Sequence, residues 1–290
     1  MAETSEVNPT VSVNICCFNS ERYLEETIES VASQSFKDWE LVLINDGSTD
    51  ATESIILDYK RRGLPIVYRS QPNSGLGASR NVALQLSNGS YIALIDHDDL
   101  WEHDFLTEAM LRFKTNSDVG LVFADSYHFD DVRGVYTTQF ANIDVNRLDL
   151  RKGNVVHSLL TKGCFVDASA VVLKKDLVAS LGGFNPKLAY VEDYDLWLRL
   201  GGVCSFEVID RPLARWRRHA SQQTRVLGSR RHEELLFLAF RHIADLSRME
   251  RLRFLGVTIS RQTYHYFRSL AAVDVGSGLK KYFSGFGDYA

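Results

Sequence analysis

Between residues 11 and 95 the chain alternates short apolar runs with helical patterns, and this alternation constrains the fold more than any other feature. Residues 11–17, 39–44, 66–68 and 91–95 are rich in β-branched side chains and bounded by turn residues, as buried strands are. Between them, residues 21–33, 51–62 and 76–86 repeat apolar positions at helical spacing. Asp50 opens the second helix, with Glu53 three residues on as its capping partner. The pattern predicts an α/β fold with a mostly parallel central sheet flanked by helices. Ligands bind such sheets beyond the carboxyl ends of the strands, which here carry Asn19, Asp46 and the run Asp96-His97-Asp98-Asp99.

Further along, residues 168–173 read as a strand and 175–181 as a short helix stopped by Gly182-Gly183. Glu192-Asp193-Tyr194-Asp195 then opens an amphipathic stretch. Residues 130–165 are polar and without clear periodicity, and are expected to form an irregular excursion over the site. Beyond Gly228, Leu235, Leu236, Leu238, Ala239, Ile243 and Leu246 recur at helical spacing, predicting a C-terminal helical extension over 228–290.

With 290 residues and 45% hydrophobic content, the chain can bury a full core. It has no apolar run of the roughly 20 residues that cross a bilayer, and its start lacks a signal-peptide pattern. A cytoplasmic protein is expected. Cys16, Cys17, Cys164 and Cys204 show no CxxC spacing and read as reduced, structural thiols. The net charge of −4 is unevenly spread: residues 211–268 hold 13 Arg, no Lys and 4 acidic residues, a local +9 that leaves −13 elsewhere. Such Arg-rich helices suit peripheral contact with the inner face of a membrane, subunit pairing in a homodimer, or charge balance against an acidic body. A nucleic-acid partner is not expected.

Several clusters carry chemistry, and each has two readings. The carboxylates of 96–99 would present a Mg²⁺ or Mn²⁺ ion to a phosphorylated ligand, or form a solvated turn that caps the next helix. Asp46 would accept hydrogen bonds from a nucleobase or ribose, or belong to a good Asn-Asp-Gly-Ser turn. Arg80 sits one turn into a helix behind Gly75 and Gly77, placed for an anion or a base edge, or simply at the surface. Asp193 would serve as a general base, or complement a helix dipole. In Trp216-Arg217-Arg218-His219 the imidazole would complete a metal shell and the arginines bind phosphate. No P-loop or dinucleotide fingerprint is present.

Together these segments resemble the inverting family 2 glycosyltransferases of GT-A fold, over most of residues 10–225. The resemblance implies a nucleotide-diphosphate sugar donor, commonly a UDP-sugar, a Mn²⁺ or Mg²⁺ cofactor, and inversion at the anomeric carbon. It implies a GT-A domain over 1–227, with a nucleotide-sugar and metal half over about 10–115 and an acceptor half over 116–227. Asn19, Asp46, Arg80, Asp96 and Asp98 are then donor-binding residues, Asp98 and His219 metal ligands, and Asp193 the catalytic base. Asp99 becomes the residue that starts the next helix. The acceptor, whether a saccharide, a lipid-linked group or a protein, belongs to polysaccharide, O-antigen or other glycoconjugate synthesis. Cys16-Cys17-Phe18-Asn19 replaces the family's frequent Pro-Thr-Tyr-Asn, and the QxxRW motif of processive synthases is missing. A non-catalytic sugar-nucleotide binder and a sugar nucleotidyltransferase are the competing readings.

Overall fold

The computed structural model describes residues 8–220, 222 and 230–242. In chain order the elements are β1 (Val11–Cys17), α1 (Leu24–Ala32), β2 (Trp39–Asn45), α2 (Thr52–Arg61), β3 (Ile66–Ser70), α3 (Leu76–Leu86) and β4 (Tyr91–Leu94). There follow β5 (Leu100–Trp101), α4 (Phe105–Thr115), β6 (Val119–Asp130), β7 (Gly134–Thr138), α5 (Asn154–Lys162) and β8 (Val171–Lys174). The described chain closes with α6 (Lys175–Ser180), α7 (Glu192–Gly201), β9 (Ser205–Arg217) and α8 (Arg230–His242).

All strands join one sheet in the order β3-β2-β1-β4-β8-β6-β9-β5, with β7 beside β6. β1 to β4 are parallel to one another, as their alternation with helices requires. Beyond β4 the sheet is mixed: β8 runs antiparallel to both β4 and β6, and β9 runs parallel to β6. β2 is buried along its whole length, which suits its apolar run Leu41–Ile44, while its buried Glu40 accepts from Ser12 and the Asn88 N–H. Adjacent strand residues feed opposite cores: Ala93 and Val122 pack with α1, α2 and α4, whereas Leu94 and Leu121 pack with α5, α6 and α7.

Local chemistry departs from the sequence reading at several helix starts. α1 begins at Leu24, because Glu21 is drawn into the β2–α2 loop, where its carboxylate accepts the Ala51 N–H at 2.9 Å. Asp50 does accept from the Thr52 N–H, but Glu53 bonds the Tyr68 hydroxyl instead of closing a capping box. Residues 130–165 are not irregular throughout: they contain β7 and α5, and α5 packs its apolar face on α7. Asp99 starts no helix. It leads into β5, and α4 begins only at Phe105.

α8 is the described part of the expected C-terminal extension. Leu238 is fully buried in the same core as Trp197 of α7, a burial that contributes about 1.5–3 kcal/mol. The expectations for Ile243, Leu246 and the rest of 243–290 lie outside the described residues. Within the basic block, Arg211, Arg215, Arg217, Arg230 and Arg241 all pair with carboxylates of the protein, so those arginines balance its acidic body. Among the described residues no helix is long and apolar enough to cross a membrane. The four cysteines are free thiols.

Candidate active site

The carboxyl ends of β1, β2 and β4 open onto a cavity of about 720 Å³. Its walls include every residue expected to act: Asn19, Asp46, Arg80, Asp96, Asp98, Asp193 and His219. The loops that carry them are braced against each other. Asn19 adopts a left-handed backbone (φ 51°), and its side-chain carbonyl accepts the Thr49 N–H at 2.9 Å, tying the β1 loop to the β2 loop. Gly47 also has positive φ, and a Cβ there would lie 2.8 Å from the Asn73 backbone nitrogen, so only glycine lets the β2 and β3 loops approach. Asp46 accepts at Oδ1 from Gln71, from the Ser74 N–H and from the Ser74 hydroxyl, and at Oδ2 from the Gly75 N–H. Burial pushes its carboxyl up, but these hydrogen bonds prevail and hold it below the ordinary range. Most of its accepting capacity shapes the loop, which leaves Oδ2 the freer atom for a ligand.

The acidic turn is pinned from beneath. Ser169, in the turn before β8, accepts the Asp96 N–H at 3.0 Å and donates to Asp99 at 2.5 Å, while its carbonyl accepts from Trp101 Nε1. Asp99 is fully buried and also accepts the Arg217 N–H at 2.8 Å. Burial, reinforced by the neighbouring Asp98 charge, pushes its carboxyl well above the usual range. Its role is to fix the turn. That leaves Asp96, with a side chain 40% exposed, and Asp98 to face the cavity.

Asp98 Oδ2 meets His219 Nε2 at 2.7 Å. Burial raises Asp98, but the His219 hydrogen bond and the nearby imidazoles outweigh it and hold the carboxyl low. His219 packs on the Tyr23 ring, with centroids 4.8 Å apart. Arg217, two residues earlier at the end of β9, secures this corner. Its Nε donates to the Asp98 carbonyl at 2.9 Å, its Nη atoms reach Glu26 and Asp131, and its guanidinium lies between the Tyr23 and Phe129 rings. The expectation that this arginine binds phosphate is therefore corrected: it is 3% exposed and engaged by the protein itself.

Among the described residues no three His, Cys, Asp or Glu side chains stand close enough to hold a metal alone. Asp98 and His219 nevertheless fit one, because a carboxylate oxygen and an imidazole nitrogen already converge at 2.7 Å inside the cavity. Such a pair leaves the remaining coordination positions for ligand oxygens and water.

Arg80, on α3, is only 4% exposed and donates to Asp96 at 2.9 Å and to Glu192 at 2.7 Å. The anions it holds are the protein's own. Glu192 is buried at the start of α7, and that burial, against the opposing Arg80 charge and with the Asp193 charge beside it, pushes its carboxyl up to about 7. Burial also raises Asp193, with Arg80 opposing. Asp193 is half-buried and accepts the Tyr194 N–H at 2.6 Å. The preceding loop is clamped twice. Asn81 of α3 brackets Phe184 through two 2.8 Å bonds, and Glu234 of α8, fully buried, accepts the Ala189 and Tyr190 N–H groups at 3.0 and 2.9 Å. Ser169 and Glu234 escaped the sequence reading, since nothing in their local patterns announces contacts so distant in sequence.

The family model for glycosyl transferase family 2 matches residues 12–177, more than half of the chain. The chain belongs to glycosyl transferase family 2. It is 30% identical over 273 residues to an uncharacterised glycosyltransferase of Rickettsia typhi, covering 92% of this chain and 80% of the relative. The chain is thus a glycosyltransferase. Its GT-A fold matches that of S. aureus TarS 1-349 in complex with UDP at a TM-score of 0.71, with 20% identity, over 97% of this chain and 80% of the other. A mannosyltransferase from Pyrobaculum calidifontis in complex with GDP-Man and Mn²⁺ matches at a TM-score of 0.61, with 15% identity, over 97% of this chain and 80% of the other. Sheet and family agree with the resemblance read from the sequence.

Proposed function

We propose that this glycosyltransferase moves a sugar from a nucleotide-diphosphate sugar, most simply a UDP-sugar, to an acceptor hydroxyl with inversion. One observation carries the reading: seven side chains chosen for donor, metal and base roles all line a single cavity. The complexes of the similar folds, with UDP in one and GDP-Man and Mn²⁺ in the other, support a donor of this class. Phe18, 48% exposed at the cavity wall, offers a flat apolar face to a base, next to Asn19 and Asp46.

Asp98 and His219 would hold the divalent ion, and the imidazole favours Mn²⁺ over Mg²⁺, which demands an all-oxygen shell. Bound there, such an ion supplies charge neutralisation for the departing diphosphate. Asp193 takes the proton of the acceptor hydroxyl as that oxygen attacks the anomeric carbon from the face opposite the diphosphate. One C–O bond forms, the bond to the diphosphate oxygen breaks, and a single displacement inverts the centre. Burial that raises Asp193 strengthens it as a base. The acceptor is a hydroxyl on a saccharide, a lipid-linked group or a protein. Cytoplasmic placement with peripheral membrane contact, and a homodimer, go with this reading, but the C-terminal residues expected to make those contacts lie largely outside the described residues.

Calorimetric titration with UDP-GlcNAc and GDP-mannose, with and without Mn²⁺, tests the proposal. Metal-dependent binding of one donor followed by its turnover is expected. Binding without turnover, over a panel of acceptors and in water alone, would leave the non-catalytic binder as the better reading; no binding at millimolar donor would end both.

A further inference from the structure

We infer that Arg80 is a positioning residue that aligns the base loop with the acidic turn, acting through Glu192, and that it does not grip the donor. The inference rests on Asp193 being the base. Three elements distant in sequence meet at this guanidinium: α3, the turn after β4, and the start of α7. One Nη donates to Glu192 Oε1 at 2.7 Å and the other to Asp96 Oδ1 at 2.9 Å, while the Phe184 ring lies 5.5 Å from the guanidinium carbon. Among the described residues no other hydrogen bond joins the acidic turn to α7. A planar fork with both arms taken fixes the separation of the two carboxylates it holds, which a lysine ammonium cannot do. At 4% exposure, the group has little surface left for a substrate anion.

The consequence falls on Asp193, the residue after Glu192. The groups facing it are Glu192 on its own helix, Arg80 from α3, Asp96 from the acidic turn, Arg231 from α8 and Cys164 beyond α5. Asp96 disfavours its ionised form, and Arg80 is the largest charge favouring it. Arg80 therefore sets both where the base stands and how readily it takes a proton. Asn81 and Glu234 also clamp this loop, but neither reaches the acidic turn.

Steady-state hydrolysis of UDP-GlcNAc, with UDP and Mn²⁺ binding followed by calorimetry, separates the possibilities. A wild-type protein that binds the donor but turns it over neither in water nor with any acceptor of the panel would remove the base assignment itself, before any variant is compared. Arg80→Lys keeps the charge and loses the fork: kcat is expected to fall about 10- to 100-fold, with donor KM within about threefold of wild type. Glu192→Gln keeps an acceptor for Arg80, so kcat and donor KM are both expected to stay within about threefold of wild type. Arg80→Met removes the favouring charge and moves the acidic limb of the pH–kcat profile up, by about one pH unit or more. Should the methionine variant fail to fold, the lysine and glutamine variants still decide. A raised donor KM with unchanged kcat in Arg80→Lys would show that Arg80 grips the donor, and an acidic limb that stays put in Arg80→Met would reduce the contact to a structural one.

Discussion

Asp193 is half-buried on the first turn of α7, beside a second carboxylate and opposite a buried arginine. Replacing it with asparagine preserves shape and the bond from the Tyr194 N–H while deleting the proposed base. Asp193→Asn is therefore expected to lower turnover by about 10²- to 10⁴-fold while leaving UDP affinity, measured by calorimetry, within about twofold. The place of this residue at a helix start was readable from the chain, because two acids ahead of an amphipathic stretch announce a charged first turn. Its neighbour's role was not. Glu192 and Arg80 are separated by 112 positions, and only folding reveals that they form one ion pair. The same holds for Asp99, whose sequence position after a strand suggests a cap, whereas full burial makes it the anchor for Ser169 and Arg217.

Elements act here mainly by bringing loops together. α3 packs its first turns against the loop before α7, where a Cβ on Gly77 would lie 3.1 Å from the Asn185 carbonyl, which explains the run of small residues ahead of Arg80. α8 works from the other side: Glu234 caps two N–H groups of the base loop and Leu238 fills the core against α7. Leu238→Ala is expected to destabilise the protein by about 2–5 kcal/mol, read as a lower denaturant midpoint at unchanged slope. A midpoint equal to wild type would mean that α8 is only loosely applied to the body. Helical periodicity showed that α8 exists, but not that its buried face belongs to the main core.

At the scale of the whole molecule, the cleft forms where the parallel half of the sheet meets its mixed half, so the loops that carry Asn19 and Asp46 and the loop before α7 come from opposite sides of β4. A ligand that spans the cleft binds the folded state alone and must stabilise it. UDP with Mn²⁺ at about 100 times its dissociation constant is expected to add about 2.7 kcal/mol, a rise of several degrees in melting temperature. In Asp98→Ala the Mn²⁺-dependent part of that rise should vanish; a full rise in the variant would place the metal elsewhere.

The strands and helices of residues 11–95 and the residue types at those strand ends were determined by the sequence itself, because periodicity and turn residues are local properties of the chain. So was the family, through the order and spacing of Asp46, Arg80, Asp96, Asp98, Asp193 and His219. Only the tertiary structure decided which of these groups remain available. Arg217 and Asp99 look like a ligand contact and a cap in the chain and prove to be struts, and Arg80 is engaged by Glu192 and Asp96, because burial obliges a charge to find partners within the protein. Asp98, Asp193 and His219 keep their place at the cavity wall because those struts leave them there.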